Sequence, residues 1–337
     1  MNPALLNWGI ISTARINDEV IPAIEHSSRS RLLGVASRDE QRARAYAAER
    51  GIPRSYGSYA ALLADQEIDC VYISLPNSLH VPMASAALEA GKHVLCEKPL
   101  ATSHEEAVGL IEQARTSGLI LMEAFMYRHH DRTRLLRELV EGGAIGELQL
   151  IKSSFHFLAA DPASDVRFRP ELAGGALRDV GSYCVSLATH LMGAAPDEVT
   201  GLARLASSGV DEMFAGVLAF DGGAVNALFD CGMCSNLHIG VTLLGSEGSA
   251  HVATPWYPHL PPATIEIHRG EQRETIETST DNPYWLEVEN LCAAVAGETE
   301  PTVSAEETLR NLEVLDRLAA AARLPRYQTN PKGTGFQ

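Results

Sequence analysis

Five short apolar runs punctuate the first third of the chain: LNWGIIS (6–12), RLLGVASR (31–38), IDCVYISLP (68–76), KHVLCEK (92–98) and LILMEAF (119–125). They are apolar at consecutive rather than alternate positions, which is how a strand reads when both of its faces are covered. Between them lie EQRARAYAAERG (40–51), VPMASAALEAG (81–91) and SHEEAVGLIEQARTSG (103–118), amphipathic at helical spacing and stopping at glycine. Strand and helix in alternation predict an α/β unit over residues 1–125, a doubly wound parallel sheet of the Rossmann type.

Past residue 125 the period changes. ELQLIKSSFHF, MFAGVLAFDGGAVNALFDC, HIGVTLLGSEGSAHVA and TIEIHRGEQRETIET alternate, with Gly-Gly, Asp-Gly or Gly-Ser between the runs, the pattern of antiparallel hairpins. The second domain, 126–337, is therefore predicted to be α+β with a large, mostly antiparallel open sheet. Its helical tail, WLEVENLCAAVAGE and AEETLRNLEVLDRLAAAARL, is expected to pack across that sheet or back on the first domain. Segments such as AVNALFDC are apolar on both alternating faces, more than one helix layer would hide, so a homodimer or larger homo-oligomer is expected.

Composition adds exclusions. With 337 residues, 45% hydrophobic and 21% charged, the chain can bury two cores, and only the final PKGTGFQ reads as disordered. A net charge of -16 argues against nucleic acid and anionic membrane surfaces, both of which need a basic face. The start, MNPALLNWGII, lacks a positive leader and a cleavage site, and no run reaches spanning length, so the expected location is cytoplasmic. Six cysteines form no disulfide framework. Cys231 and Cys234 have ligand spacing but no second pair completes four ligands, so no metal is expected.

The candidate chemistry begins at STARIN, straight after the first strand. There the backbone of Ser12, Thr13, Ala14, Arg15 and Ile16 would meet a pyrophosphate at a helix N-terminus. By letter the match to G-x-G-x-x-G is poor, since serine, alanine and asparagine replace the glycines; serine and alanine are still small. The second strand ends in ASRD, without the acidic residue that holds the ribose of NAD. Ser37 and Arg38 suit the 2′-phosphate of NADP, and Asp39 suits a helix cap. Glu97 and Lys98 end the fourth run, where a charge is either a solvated loop start or part of a ligand crevice. Asp179 and Tyr183, four apart in DVGSYCVSLATHLMG, would share a helix face, although a cap and a core aromatic are the plainer assignments. His129 and His130 are adjacent and point apart, which disfavours a shared metal. His156, His251 and His259 could touch substrate.

GIISTARI, ISLPNSLH (73–80), GKHVLCEKPLA (91–101), EAFMYRHH (123–130) and GGALRDVGSYCVS (174–186) together resemble the glucose-fructose oxidoreductase and inositol dehydrogenase (Gfo/Idh/MocA) family, over nearly the whole chain. EAFMYR and GALRDVGSY are similar to the branch of dimeric dihydrodiol dehydrogenases and NADP-dependent D-xylose dehydrogenases. The resemblance implies that Lys98 reaches the substrate hydroxyl and the nicotinamide ribose, beside Glu97 in the same motif. It implies that Leu75, Pro76, Asn77 and His80 line the nicotinamide, and that Arg128 lies near the carboxamide end. Asp179 and Tyr183 would complete the catalytic group, while Phe157 and Trp256 correspond to pocket aromatics facing substrate; sheet-core packing is the alternative for both. The function implied is an oxidoreductase using NADP(H), with NAD(H) as the other option, on a secondary alcohol or carbonyl of a sugar or cyclic diol. An NAD-dependent glycoside hydrolase of the same family and a non-catalytic cofactor-binding regulator are the alternatives.

Overall fold

The computed structural model describes residues 5–325, so the PKGTGFQ tail lies outside the described residues. Two compact units divide the chain: residues 5–126 with 284–305, and residues 127–283 with 306–325. Among the described residues no helix is long and apolar enough to cross a membrane.

The first unit holds six strands: β1 (Leu6–Ile11), β2 (Ser30–Ala36), β3 (Arg54–Tyr56), β4 (Cys70–Ile73), β5 (His93–Glu97) and β6 (Leu121–Ala124). They pair in parallel in the order β3-β2-β1-β4-β5-β6, a doubly wound sheet. The crossovers are α1 (Asn17–His26), α2 (Glu40–Arg50), α3 (Tyr59–Leu63), α4 (His80–Glu89) and α5 (His104–Ser117). Local signals start and stop them. Asp39 Oδ1 accepts Arg42 N at 2.9 Å at the head of α2, Ser103 caps α5, and Gly51 and Gly118 end these helices in the left-handed region. Ile11, Val71, Ile73 and Val94 face Met83, Ala84, Ala87 and Leu110 in a core with almost no exposed surface. Burial on both faces is why these strands lack alternation.

α6 (Asp131–Glu141) and α7 (Ser182–Met192) lie in the second unit, whereas α8 (Pro283–Val295), from late in the chain, belongs almost wholly to the first. The sequence had left open where the helical tail packs. The Cys292 thiol of α8 sits 3.2 Å from Ser30 Oγ, Trp285 meets His26 edge-on at 5.4 Å, and Glu298 beyond the helix pairs with Arg29.

The second unit is built on β7 (Leu148–Leu158), β8 (Glu198–Leu205), β9 (Asp211–Phe220), β10 (Val225–Gly232), β11 (Cys234–Gly245), β12 (Ser249–Val252), β13 (Thr264–Arg269) and β14 (Gln272–Glu277). Their order is β14-β13-β12-β11-β7-β10-β9-β8, antiparallel throughout except where β10 runs parallel to β7. One register row, Gly201, Gly216, Phe229, Ser153, Val241 and Val252, is buried under α7 and the turn preceding it. A side chain at Gly216 would come within 2.3 Å of the Phe229 ring, so glycine there makes room for the stacked Phe214–Phe229 pair. The next row, Thr200, Val217, Leu228, Lys152, Thr242 and His251, is exposed or half-buried and lines a shallow groove of about 590 Å³. The last helix among the described residues is α9 (Ala305–Ala321).

Candidate active site

The order of the parallel sheet reverses between β1 and β4, and ligands of doubly wound folds bind at that switch point, outside the carboxyl ends of the strands. Ser12 and Ser74 meet there. Ser12 Oγ donates to Ser74 O (3.0 Å) and accepts Ala14 N (3.0 Å), and Ser74 Oγ donates to Asn17 Oδ1 (2.7 Å). Ser12 has φ +118°, a value that favours glycine, so the backbone adopts the glycine conformation that the letters lack. Its hydroxyl and carbonyl are both bonded, the carbonyl by Asn17 Nδ2 at 3.1 Å, and these contacts hold the strained residue in place. Thr13, Ala14 and Ile16 are half-buried and Arg15 is exposed at the entrance to α1. A small-residue turn opening a helix N-terminus at the switch point fits the pyrophosphate of a dinucleotide.

β2 stops at Ala36, leaving Ser37 buried and Arg38 exposed just beyond it. Asp39 is committed to the α2 cap. Arg38 lies against the Tyr59 hydroxyl, where its charge partly offsets the upward push that burial gives the phenol.

The turn after β5 is tied on several sides. Tyr72 OH donates to Glu97 Oε1 (2.6 Å), Lys98 N to Glu97 Oε2 (3.3 Å), and Leu100 N to Glu123 Oε1 (2.9 Å). His80 at the head of α4 has no exposed surface, and both ring nitrogens reach main-chain carbonyls: Nδ1 to Pro99 O at 2.8 Å and Nε2 to Leu75 O at 2.7 Å. Leu75, Pro76 and Asn77 are half-buried, so the ring joins that segment to the lysine turn from behind. Glu287 of α8, on the same side as Glu97, is fully buried. Burial first, and the charge of Glu97 second, push its carboxyl well above the usual range. Its one signal in the sequence was a carboxylate on the apolar stripe Tyr284, Val288, Leu291 of YWLEVENL.

In the second unit, residues Leu177–Gly181 form a π-helical turn that runs straight into α7. The bonds of a π turn span i to i+5, so the α-helical spacing from which Asp179 and Tyr183 were expected to share a face is interrupted between them. Half-buried Asp179 lies 3.6 Å from Arg167, whose guanidinium stacks over Phe157 at 4.5 Å and pairs with Asp165. Arg167 had no signal in the sequence. Tyr183 is buried among Phe155 (5.2 Å), Tyr127 (5.6 Å) and Trp256 (5.7 Å). Trp256 has no exposed surface and donates Nε1 to Ser154 O at 2.9 Å, so within this unit it is a wall behind Tyr183. Arg128 is buried, with Nη2 on Glu307 Oε1 (2.8 Å) and His190 Nδ1 (2.6 Å). His129 is pushed down to about 3 by burial and then by Arg128. His130 is buried and accepts Arg132 N. His156 bonds Asp230 and Ser235, and His251 bonds Thr242 on the outer face. Among the described residues no cluster of three or more His, Cys, Asp or Glu could hold a metal; Cys231 is a buried thiol and Cys234 lies against Arg204.

A doubly wound sheet with a helix opening at its switch point defines a dinucleotide-binding protein. Residues 6–125 match the model of an oxidoreductase family with an NAD-binding Rossmann fold, and residues 133–251 match the GFO/IDH/MocA C-terminal domain. The chain is 38% identical over 322 residues to D-xylose 1-dehydrogenase (NADP(+)) 2 of Haloferax volcanii, covering 94% of this chain and 97% of that one. It is 33% identical over 277 residues to the trans-1,2-dihydrobenzene-1,2-diol dehydrogenase of Mus musculus, covering 80% and 79%. Among solved structures, KijD10, a 3-ketoreductase from Actinomadura kijaniata in complex with NADP and TDP-benzene, matches with TM-score 0.88 and 29% identity over 94% of this chain and 98% of that one. The chain belongs to the Gfo/Idh/MocA oxidoreductase family. It is a nicotinamide-dinucleotide-dependent dehydrogenase or reductase acting on CH–OH or carbonyl groups.

Proposed function

We propose that the chain is an NADP(H)-dependent oxidoreductase that transfers hydride to or from a secondary alcohol or carbonyl of a sugar or cyclic diol. The observation that carries this reading is the turn at Lys98: a lysine at the carboxyl end of a central parallel strand, with the residues on either side of it anchored by Tyr72, His80 and Glu123. A solvated loop start needs no such anchoring. The xylose dehydrogenase and dihydrodiol dehydrogenase names of the relatives support the substrate class. The exposed Arg38 after β2, with no acidic residue free of a cap, supports the 2′-phosphate.

The nicotinamide cofactor, when bound, supplies the hydride chemistry, and the chain supplies orientation and proton handling. Ser12 to Ile16 would hold the pyrophosphate through main-chain N–H groups; Ser37 and Arg38 would hold the adenosine phosphate; Leu75, Pro76 and Asn77 would shape the nicotinamide side. Lys98 and Tyr183 form the proposed acid/base unit. A free tyrosine titrates near pH 10, and a nearby ammonium favours the phenolate, bringing it into range as a base. Asp179 would orient the pair, with Phe157 and Arg167 beside it and Trp256 backing the Tyr183 ring. Arg128 would contribute through its own unit, where Glu307 and His190 already engage it. The division into domains at residue 125, with substrate binding and oligomerisation in the second, is part of the same proposal. So is a homodimer or larger assembly, supported by the outer face of the second sheet, where Leu202 is 77% exposed. A cytoplasmic location is proposed too.

The test is kinetic. Tyr183→Phe removes the transferable proton and should lower kcat by about 10² to 10⁴ with NADPH binding unchanged, and Lys98→Met should cost as much. The double variant should cost little more, because groups acting as a unit are not additive. A Tyr183→Phe enzyme that keeps most of its activity on aldoses, diketones or dihydrodiols would refute the assignment.

A further inference from the structure

At the head of β9 the chain buries a carboxylate in a place where a neutral side chain would do. Asp211 is 2% exposed, and its Oδ2 accepts the Leu177 main-chain N–H at 2.6 Å, with the Ala176 N–H also turned toward it. Those N–H groups begin the π-helical turn Leu177–Gly181, which contains Asp179 and continues without a break into α7 and Tyr183. Serine, threonine or asparagine can accept the first N–H groups of a helix without bringing a charge out of water. What a carboxylate adds is a short, charge-assisted bond to more than one donor at once.

We propose that Asp211 is a positioning residue: its ionised carboxylate clamps the Ala176 and Leu177 N–H groups, sets the phase of the π turn, and so fixes where Asp179 and Tyr183 are presented. This rests on the reading that those two residues take part in the chemistry. A π turn is a phase shift of a helix, and such turns are frequent at functional sites. The clamp selects the shifted form. The groups facing Asp211 are Arg178, on the clamped turn and itself paired with Asp316 at 3.1 Å, and the buried Cys231 thiol of β10, with Asp179 and Asp230 beyond that thiol. Arg178 lends partial compensation. Burial outweighs it and pushes the Asp211 carboxyl up to about 6 from 3.8.

The sign of the linkage makes the proposal testable. A carboxyl whose folded-state pKa is raised favours the folded chain at acid pH, and that contribution is lost as the pH climbs from about 4 to about 6. At neutral pH the folded chain therefore keeps Asp211 ionised against its own stability. Asp211→Asn retains the shape and one acceptor without the charge. It is expected to raise the thermal midpoint at pH 7.5, with the folding equilibrium gaining at most about a hundredfold for two pKa units. It is also expected to lower kcat by about tenfold with KM moved less, as for an interaction felt mainly in the transition state. The acid limb of the wild-type kcat profile near pH 6 should vanish, and the variant should run flat at the wild type's low-pH level. Asp211→Ala, with no acceptor, should be slower still. A purely structural cap would give an asparagine variant with wild-type kcat; that result, a surviving limb near pH 6, or no gain in midpoint each overturns the proposal. Melting needs no substrate. Failure to find turnover on any alcohol or carbonyl would sink the proposed function, and the melting comparison would still decide whether Asp211 is held ionised at the expense of stability.

Discussion

Replacing His80 by leucine probes the tie behind Lys98 with little change in volume. The imidazole sits between two acceptors, Pro99 O at 2.8 Å and Leu75 O at 2.7 Å, with no exposed surface. Carbonyls only accept, so a neutral ring donates to one of them and a protonated ring to both. At pH 8 the substitution removes one donor from a buried acceptor, which costs about 1 to 3 kcal/mol. For a unit of this size that is a fall of roughly 2 to 12 °C in the thermal midpoint. Burial first, and the Lys98 charge last, hold the His80 pKa below 6.5, while the two carbonyls pull the other way. A histidine whose folded-state pKa is depressed contributes stability that is complete above its unfolded pKa and is lost as the pH falls through the folded value. The gap between wild type and His80→Leu should therefore narrow from pH 8 to pH 5.5. Melting by circular dichroism at the two pH values measures it, and an NADPH titration followed by fluorescence should show weakened binding, because both segments joined by the ring face the proposed nicotinamide site. A midpoint within about 1 °C of wild type at pH 8, or a gap that widens in acid, refutes the tie.

Arg38→Ala should weaken NADPH binding by about 1.5 to 3 kcal/mol and leave NADH binding alone, as measured by titrating both cofactors. Arg128→Met breaks the buried pair with Glu307, so it should destabilise by about 3 to 5 kcal/mol in urea melts; intact stability with lost cofactor binding would instead favour direct cofactor contact. Leu202→Glu with Leu228→Glu, both on the outer sheet face, should convert the assembly to monomer by light scattering at micromolar concentration, whereas a wild type already monomeric would remove that proposal.

The parallel sheet was legible because burial on both faces leaves unbroken apolar runs, and each observed strand falls inside its run to within a residue or so. β3 was not, since three half-buried residues carry no period. β8 also escaped, because Leu202 and Leu205 are exposed and blur the alternation. The hairpin punctuation at Asp221-Gly222-Gly223 and at Gly245-Ser246 appeared as read, but the parallel pairing of β7 with β10 is a long-range choice that no local pattern encodes. At the phosphate turn the letters misled, for Ser12 takes up a backbone conformation that composition assigns to glycine. The π turn and Asp211 were beyond reach for a different reason. A phase shift leaves no residue signature, and one aspartate at a strand head reads as solvated loop until its burial is known.

The return of α8 to the first unit has a consequence for synthesis. The dinucleotide unit closes only when Tyr284 and the residues after it arrive, roughly 160 residues after Met126. At ribosomal rates of about 5 to 20 residues per second, the parallel sheet waits on the order of 8 to 30 s without that helix. During this interval the surfaces that Trp285 and Cys292 later cover around His26 and Ser30 lie open to water and to chaperones. A fragment ending near residue 125 would make that state permanent, so the half of the enzyme that reads as an independent nucleotide-binding domain should be soluble only when the distant helix is supplied, in the same chain or as a separate peptide.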